Sequence, residues 1–350
     1  MNKFLAEIHE QPGALRKTLA YYTDGKGREI LERIIMIWQR NKYSRIVFTG
    51  MGSSFFVSYA ASCLLSQYGI ISTAVNAGEL IHYHFSQLKT DTLLVCISQS
   101  GESFEVVRIL EKLPAGIACI GISNEENSTL IKKAAAHLLC KAGKEEMTST
   151  KTYVSTCLVL YIFSLALAGK WDPAQIAGIE NAIVQVDSLI KNTDTWLNPA
   201  LRLLDHCAFI QIVGRGSSYA TAQQGALMFM EGARNPSSAS LGGEFRHGPM
   251  EMVKKGFRAI VFAPRGETYE QSLRLAEDMV KYEGMVILIT NSPQEVNNSS
   301  VLSIHIPCLD EYLFIIPAIV PLQLIVNEWA MADGNEPGNF TRGAKITTAE

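Results

Sequence analysis

Short apolar runs alternate along this chain with longer segments whose apolar residues recur every three or four positions. The runs at 45–50, 93–97 and 117–122 are about five or six residues long, and FEVVRILEKL at 104–113 has helical spacing. Strands buried in a parallel sheet are continuous apolar runs, and helices connect one strand to the next. The pattern therefore predicts α/β architecture, with a parallel sheet covered by helices on both faces.

The same pattern returns in the second half of the chain. Further strand-like runs lie at 209–214, 258–263 and 285–290, and the turn GMGSSF at 50–55 returns as GRGSSY at 214–219. We interpret this as two copies of one α/β unit, which arose by duplication and are joined by a helical stretch around 151–200.

The predicted domain boundaries follow from this repeat. We expect an N-terminal helical segment, a first α/β domain, a helical linker, a second α/β domain, and a tail that covers the active site. The N-terminal segment is predicted at 1–30 and the first domain at 31–170. The linker is predicted at 171–195, the second domain at 196–335 and the tail at 336–350.

Composition and charge narrow the class of protein. Hydrophobic residues make up 47% and charged residues 19% of 350 residues, which is ordinary for a globular chain. A net charge of −3 and the absence of a basic block give no electrostatic reason to bind nucleic acid. The seven cysteines form no C-x-x-C pair, which is typical of reduced thiols in a cytoplasmic protein.

Membrane and export signals are not expected. The first fifteen residues contain acids and no apolar core of a leader peptide. The apolar runs at 154–169 and 312–326 are short for membrane spans, and the second contains Pro317 and Pro321. Both are predicted to be buried helices of a cytoplasmic protein without a membrane partner.

The stretch SQSGES at 98–103 stands where a buried strand passes into a helix. A helix N-terminus offers unpaired N–H groups and a positive dipole end, and serine hydroxyls add uncharged donors. Gly101 allows close approach of the backbone to a ligand, so the stretch can hold a phosphate. A helix cap with a tight turn is the alternative.

The two copies differ at this turn. After the matching strand of the second copy the sequence is PRGETYE at 264–270, which contains no serine. A purely structural turn has no reason to differ so sharply between copies. The difference favours a ligand site in the first copy and a structural or partner role in the second.

Several segments in order resemble one known family. They are G-x-G-S-S and then S-Q-S-G-E-S after successive strands, EIHEQPGAL at 7–15, TSTKTY at 148–153, GALMFMEGA at 225–233, GGEFRHGP at 242–249 and RGAKITTAE at 342–350. The chain resembles the double SIS (sugar isomerase) domain family, in particular the isomerase half of glucosamine-6-phosphate synthase. The resemblance implies two flavodoxin-like, three-layer domains and a phosphosugar ligand.

The resemblance also implies a set of residues that bind the sugar phosphate. The serine turn is the centre of this set, and residues of the first glycine turn and of two later segments complete it. The implied residues are Gly52, Ser53, Ser54, Ser98, Gln99, Ser100, Ser103, Met147 and Ala344.

Glu231 is the implied proton-transfer base. It lies in the otherwise apolar GALMFMEGA segment, where desolvation would raise its pKa and suit proton transfer between adjacent sugar carbons. A surface acid on the polar face of the helix is the alternative. The family has a lysine three residues earlier, where this chain has Met228, and this departure puts the identity of the reaction in doubt.

His247 and Lys345 are the other implied catalytic residues. By the resemblance, His247 opens the sugar ring in the active site of the neighbouring subunit, which implies a homodimer. Lys345 contacts the open-chain sugar and can form a Schiff base with it. A turn histidine and a solvated tail lysine are the corresponding alternatives.

No cofactor or metal is expected. The turn GMGSSF lacks the third glycine of a dinucleotide-binding motif, and no acid follows the second strand as a ribose ligand. His82 and His84 have no acidic or cysteine neighbours of the kind that complete a metal site, and Arg215 faces either a ligand or water.

The expected function is conversion of a hexose 6-phosphate or its amine adduct. The synthase has an N-terminal glutaminase domain whose cysteine follows the initiator methionine, whereas here the second residue is Asn2. We therefore expect an amino-sugar-phosphate deaminase, a fructosamine-6-phosphate deglycase or an isomerase. A non-catalytic phosphosugar sensor and a subunit served by a separate glutaminase chain are the rival hypotheses.

Overall fold

The computed structural model describes residues 1–293, 298–340, 342, 344 and 345, and the chain divides into two compact units. The first unit holds Gly13–Gln175 together with residues 342, 344 and 345 of the C-terminal tail. The second holds Met1–Pro12 and Ile176–Phe340. Of the predicted tail at 336–350, positions 341, 343 and 346–350 lie outside the described residues.

Each unit is built on one sheet of five parallel strands. The first sheet contains β1 (Arg45–Gly50), β2 (Ser72–Asn76), β3 (Thr92–Ile97), β4 (Cys119–Ser123) and β5 (Ala136–Leu139). The second contains β6 (Ile210–Gly214), β7 (Ser237–Leu241), β8 (Arg258–Ala263), β9 (Met285–Thr290) and β10 (Val301–His305).

The two sheets have the same topology. Their orders are β2-β1-β3-β4-β5 and β7-β6-β8-β9-β10, with every pairing between neighbours parallel. β1 lies beside both β2 and β3, in register from Ile46 opposite Ser72 and from Arg45 opposite Thr92. This is the flavodoxin-like order, so the predicted fold class and the predicted duplication are confirmed.

Helices precede, connect and follow the strands. In chain order they are α1 (Lys3–His9), α2 (Gln11–Thr23), α3 (Lys26–Asn41), α4 (Ser53–Gln67), α5 (Ala77–Glu79), α6 (Phe104–Lys112), α7 (Thr129–Lys133), α8 (Lys151–Leu167), α9 (Pro173–Lys191), α10 (Leu197–Leu204), α11 (Ser218–Gly232), α12 (Gly242–Arg246), α13 (Tyr269–Lys281), α14 (Ile315–Ala318) and α15 (Val320–Ala332). Shorter turns of helix follow α5 at Leu80–His84 and Phe85–Gln87, and α12 at Pro249–Met252.

The central strands form the core of each unit because both of their faces are covered. All six residues of β3 and all five of β4 are buried, whereas most of the edge strand β2 is partly exposed. On one face of the first sheet, β3 residues pack with α6 through Val106 and Ile109. Helix α6 is strongly amphipathic, which is why one of its faces is buried and the other carries charge.

The two apolar runs are core helices, as expected. Every residue of α8 is buried, including the first, Lys151. The stretch Ile315–Ala332 is long and apolar enough to cross a membrane, but 83% of that window is buried inside the protein. Burial of this extent is what the core helix of a folded domain requires.

Helices α11 and α15 approach closely because glycines face the contact. A β-carbon added to Gly232 would lie 2.6 Å from Val326 Cγ1, and one added to Gly225 would overlap Leu322. Nearby, the rings of Phe229 and Trp329 meet edge to face with centroids 5.9 Å apart. The glycines of the GALMFMEGA segment therefore have a packing role in the second unit.

The N-terminus is fixed to α15 by amide pairs. Asn2 caps α1 by accepting from the Leu5 N–H at 2.8 Å, and it donates to Asn327 Oδ1 at 2.9 Å. Gln11 and Gln323, both fully buried, exchange two hydrogen bonds of 2.7 and 3.0 Å. Because each buried amide satisfies the other, the first twelve residues are an integral part of the second unit.

Replacing Gly225 by alanine should destabilise the second unit. The added methyl would overlap Leu322, and overpacking of this kind costs about 1–3 kcal/mol of unfolding free energy. The matched control is Gly13→Ala, since Gly13 lies in α2 with nothing within 4 Å of an added β-carbon. We expect that control to stabilise by about 0.4–1 kcal/mol. Urea unfolding midpoints measure both changes, and equal effects would contradict the close approach.

Candidate active site

The serine turn lies at the topological switch point of the first sheet. Residues 98–103 follow β3 and precede α6, and the glycine turn at 51–52 follows β1, which is the strand next to β3. From β1 the chain continues to the β2 edge, and from β3 it continues towards the opposite edge. In sheets of this kind, ligands bind in the crevice at the carboxyl ends of these two strands.

The hydroxyls of the serine turn gather at the N-terminus of α6. Ser98 Oγ lies 3.1 Å from Ser103 Oγ and accepts from the Gly101 N–H at 3.1 Å. Ser103 directly precedes α6, yet its hydroxyl makes no capping bond to that helix. Capping therefore does not account for Ser103, and the N–H groups of the first turn of α6 are left for another acceptor.

The backbone of the turn is fixed by the neighbouring turn after β4. The Gln99 carbonyl accepts from the Ser123 hydroxyl at 3.1 Å and from the Asn124 N–H at 3.0 Å. The Gly101 carbonyl accepts from the Leu130 N–H at 3.1 Å. Because carbonyls carry these bonds, the loop is held in shape without using up the Ser103 hydroxyl.

Gly101 is required at its position for two reasons. Its φ of +66° lies in the left-handed region, which side chains other than glycine disfavour. In addition, a β-carbon there would overlap the Ser128 side chain. Ser128 is the N-cap of α7 and accepts from the Ile131 N–H at 3.4 Å. The turn after β3 and the start of α7 are therefore packed against each other.

The glycine turn after β1 lies against the end of β3. A β-carbon on Gly50 would lie 2.8 Å from the Ile97 carbonyl oxygen and 2.8 Å from Ser54 Cβ. Gly52 has a φ of +50°, and Ser53 and Ser54 then begin α4 with partly exposed side chains. The glycine turn thus starts next to the carboxyl end of β3, from which the serine turn continues.

Lys345 lies in the first unit, where it contacts two groups of one segment. Its Nζ donates to Glu145 Oε2 at 2.9 Å and to the Met147 carbonyl at 2.6 Å. Met147 is buried, and Ala344, beside Lys345, is exposed. The structure therefore brings Lys345 and Met147 together, and the Lys345 amine is engaged rather than solvated.

Glu145 is a residue that the sequence analysis did not identify. Its side chain is fully buried, and besides Lys345 it accepts from the Thr150 N–H at 2.9 Å and the Thr152 N–H at 3.0 Å. The hydroxyls of Thr150 and Thr152 also donate to it, at 3.2 and 2.5 Å. The nearest signal in the sequence is an acid shortly before the TSTKTY segment, whose threonines supply the donors.

Glu231 lies at the end of α11 in the second unit. Met228 and Phe229 are fully buried, Met230 is 47% exposed, and Glu231 is half-buried. The place of the family lysine is therefore occupied by a buried, uncharged thioether at Met228. Any cation that pairs with Glu231 must come from outside this helical turn.

His247 is an exposed residue that follows α12 in the second unit. Its N–H donates to the Glu244 carbonyl at 3.0 Å, and Gly248 follows with a φ of +136°. Arg246, beside it, pairs with Asp278 at 2.7 Å. Glu244 therefore fixes His247 through its backbone, and the exposed imidazole is accessible to solvent or to a partner.

Arg215 lies in the glycine turn after β6. Its guanidinium packs on the backbone of α12, since a β-carbon on Gly242 would lie 2.6 Å from Arg215 Nε. Burial, and next the charge of Arg246, lower the pKa of Arg215. The sequence analysis left a ligand or water as the neighbour of Arg215, and the structure adds a contact of its guanidinium with the glycine pair Gly242–Gly243.

Comparisons with known proteins agree with this architecture. The family model described as SIS domain matches residues 40–166 and 203–331. Glutamine–fructose-6-phosphate aminotransferase [isomerizing] of Pyrococcus horikoshii is 31% identical over 353 residues, which are 99% of this chain and 57% of that protein. The chain thus spans a little under three fifths of the length of this curated relative, and the predicted resemblance is confirmed.

Solved structures show the same fold. The C-terminal domain of glucosamine-fructose-6-phosphate aminotransferase from Francisella tularensis aligns with a TM-score of 0.85 at 25% identity, covering 97% of this chain and 98% of that one. Tagatose-6-phosphate ketose/aldose isomerase from Escherichia coli aligns with a TM-score of 0.80 at 19% identity, covering 95% and 93%. The second likeness concerns the fold alone.

Breaking the contact between Lys345 and Glu145 should destabilise the first unit. In Lys345→Met a buried carboxylate loses one charged donor, and this should lower the unfolding free energy by about 1–3 kcal/mol. In the double variant with Glu145→Gln, no buried charge is left unpaired. We therefore expect the loss in the double variant to be smaller than the sum of the single losses, by about 0.5–3 kcal/mol. Additive urea unfolding energies would contradict the contact.

Proposed function

Because this chain belongs to the SIS domain family, we propose that it is an enzyme that converts a hexose 6-phosphate or an amine derivative of one. The serine turn of the first unit is the observation that carries the proposal. Its hydroxyls face each other at a helix N-terminus that they do not cap, and its backbone is fixed from outside. Such an arrangement suits a phosphate dianion.

The proposed phosphate site consists of the two neighbouring turns at the switch point. Ser98, Gln99, Ser100 and Ser103 bind the phosphate from the turn after β3, and Gly52, Ser53 and Ser54 contribute from the turn after β1. No charged side chain is needed for this role, since N–H and hydroxyl donors supply the hydrogen bonds. Met147 and Ala344 complete the sugar-binding set.

The proposed chemistry is proton transfer between the first two carbons of the open-chain sugar. His247 opens the sugar ring by transferring the proton of the ring-forming hydroxyl. Its exposure would allow it to act in the active site of a neighbouring subunit. The Glu231 carboxylate then removes a proton from one carbon and returns it to the next. Half-burial of Glu231 keeps it accessible to substrate.

Lys345 has the role of polarising the sugar carbonyl. Its amine already donates to the Met147 carbonyl and to Glu145, so formation of a Schiff base would require it to leave both. As an ammonium held at 2.6–2.9 Å by two acceptors, it suits a hydrogen bond to a carbonyl or hydroxyl of the sugar.

Deamination and deglycation are the reactions we favour. Both pass from a sugar that bears an amine to a ketose or aldose, and hydrolysis of the imine consumes one water and releases ammonia or a free amine. The relative in Pyrococcus horikoshii is named an isomerizing aminotransferase of fructose 6-phosphate, a name that joins amine chemistry and isomerisation as the proposed reactions do. Met228 stands where the family has a lysine, so this position supplies no cation near Glu231. A changed substrate would account for this departure.

The protein is expected to act in the cytoplasm as a homodimer with shared active sites. Five of its cysteines are buried and all seven are free thiols. Reduced thiols of this kind are typical of an intracellular compartment.

Substrate turnover tests the proposed function. The purified chain is incubated separately with glucosamine 6-phosphate and fructose-lysine 6-phosphate, and release of ammonia or lysine is followed. We expect release from one of them, reduced at least about 100-fold in Glu231→Gln, because loss of a general base typically costs that much. Ser103→Ala should mainly raise KM, since in this proposal the hydroxyl binds the phosphate and not the reacting carbons. Tight binding of both compounds without turnover would instead favour the phosphosugar sensor.

Mixing two inactive variants tests the shared active site. If His247 acts in the neighbouring subunit, a heterodimer of Glu231→Gln and His247→Asn has one site with both residues intact. Random exchange of subunits then restores about a quarter of wild-type activity, because half the dimers are mixed and each has one good site. Activity that stays at the level of the separate variants would place His247 in its own subunit's site.

A further inference from the structure

A glutamate stands at the same place after the last strand of each sheet. Glu145 is the sixth residue after β5, and Glu311 is the sixth residue after β10. In the duplicated fold these two residues are counterparts. Their side chains nevertheless make different contacts.

In the first unit, Glu145 is hydrogen-bonded by the start of the next helix, α8. Glu145 accepts from the N–H groups of Thr150 and Thr152 and from both threonine hydroxyls, and Lys345 adds a cation. The threonine donors hold the carboxylate at the start of α8, where Lys345 of the tail also contacts it.

In the second unit these donors are absent. The residues at the positions of Thr150 and Thr152 are Ile316 and Ala318, which have no hydroxyl. Their N–H groups donate instead to the carbonyls of Leu313 and Phe314, at 3.0 Å each. Nothing at the start of α14 is therefore available to hold the Glu311 carboxylate as α8 holds Glu145.

The Glu311 carboxylate lies between the two turns of the second switch point. A β-carbon on Gly266, in the turn after β8, would overlap it, and one on Gly216, in the turn after β6, would lie 3.5 Å from Oε1. The Ser217 hydroxyl also donates to the Glu311 carbonyl at 3.4 Å. Strands β6 and β8 are the counterparts of β1 and β3, so this is the counterpart of the proposed phosphate site.

Gly266, in the turn after β8, leaves room for the Glu311 carboxylate because it has no side chain. Burial raises the pKa of Glu311, and the neighbouring acids Asp310 and Glu267 raise it further.

We propose that the Glu311 side chain occupies the ligand position of the second unit and excludes phosphosugars from it, so that each chain binds one phosphosugar. The carboxylate acts both by volume and by charge, since it fills the position between the turns and repels a dianion. The proposal rests on the proposed function only in taking a phosphosugar as the ligand.

Counting bound ligand before and after removal of this side chain tests the proposal. Radiolabelled fructose 6-phosphate is equilibrated by dialysis with the full chain, with Glu311→Ser and with Glu267→Ser. The Glu267→Ser variant is the matched control, because it removes an exposed acid of the same turn and leaves the Glu311 carboxylate in place. Melting temperatures confirm that all three proteins are folded.

We expect Glu311→Ser to bind about one more molecule per chain than the parent, and Glu267→Ser to bind the same number as the parent. An unchanged count in Glu311→Ser would overturn the proposal, as would an equal gain in both variants, which would assign exclusion to net charge alone. A parent that binds no phosphosugar would refute the proposed function. The difference between Glu311→Ser and its parent would still decide the role of Glu311.

Discussion

The carbonyl oxygens of the turn after β3 make the hydrogen bonds on which the candidate site depends. Gln99 and Gly101 accept from Ser123, Asn124 and Leu130, so the shape of the turn is set by its backbone and by the next turn along the sheet. The hydroxyls of Ser98 and Ser103 face one another before α6. Ser98 and Ser100 take part in the turn as acceptors from the Gly101 and Glu102 N–H groups, which does not use their O–H donors. A loop that used its hydroxyl donors to hold itself together would have few left for an anion.

Duplication produced two sheets of the same topology that have different turns at their switch points. The two sheets have identical strand orders, and each has a switch point between its second and third strands in the sheet. What differs is a few side chains at the carboxyl ends: SQSGES has three serines, whereas PRGETYE has none and begins with a proline. The fold and the chemistry of the turns are therefore separable here, since the same sheet has serine hydroxyls at the switch point of one unit and a carboxylate at that of the other.

The sequence predicted the centre of each sheet better than its edges. The runs at 45–50, 258–263 and 285–290 coincide with β1, β8 and β9, because strands covered on both faces must be continuously apolar. The unpredicted strands β2, β5, β7 and β10 are all edge strands, and β2 (STAVN) and β7 (SSASL) are small and partly polar. Likewise the serine turn was evident as a local motif, whereas Glu145 depends on donors brought together by folding, including a lysine 200 positions away.

Each unit is built from two separate segments of the chain, and this matters when the protein is divided into fragments. The first twelve residues belong to the second unit, where Gln11 meets Gln323, and Lys345 near the other end belongs to the first, where it meets Glu145. A fragment cut between the repeats would leave one half with an unmatched buried amide and the other with a buried carboxylate lacking its cation. Each unit thus includes a segment that is distant from its repeat in the sequence, and expressing one repeat alone would need a permuted design that supplies this segment.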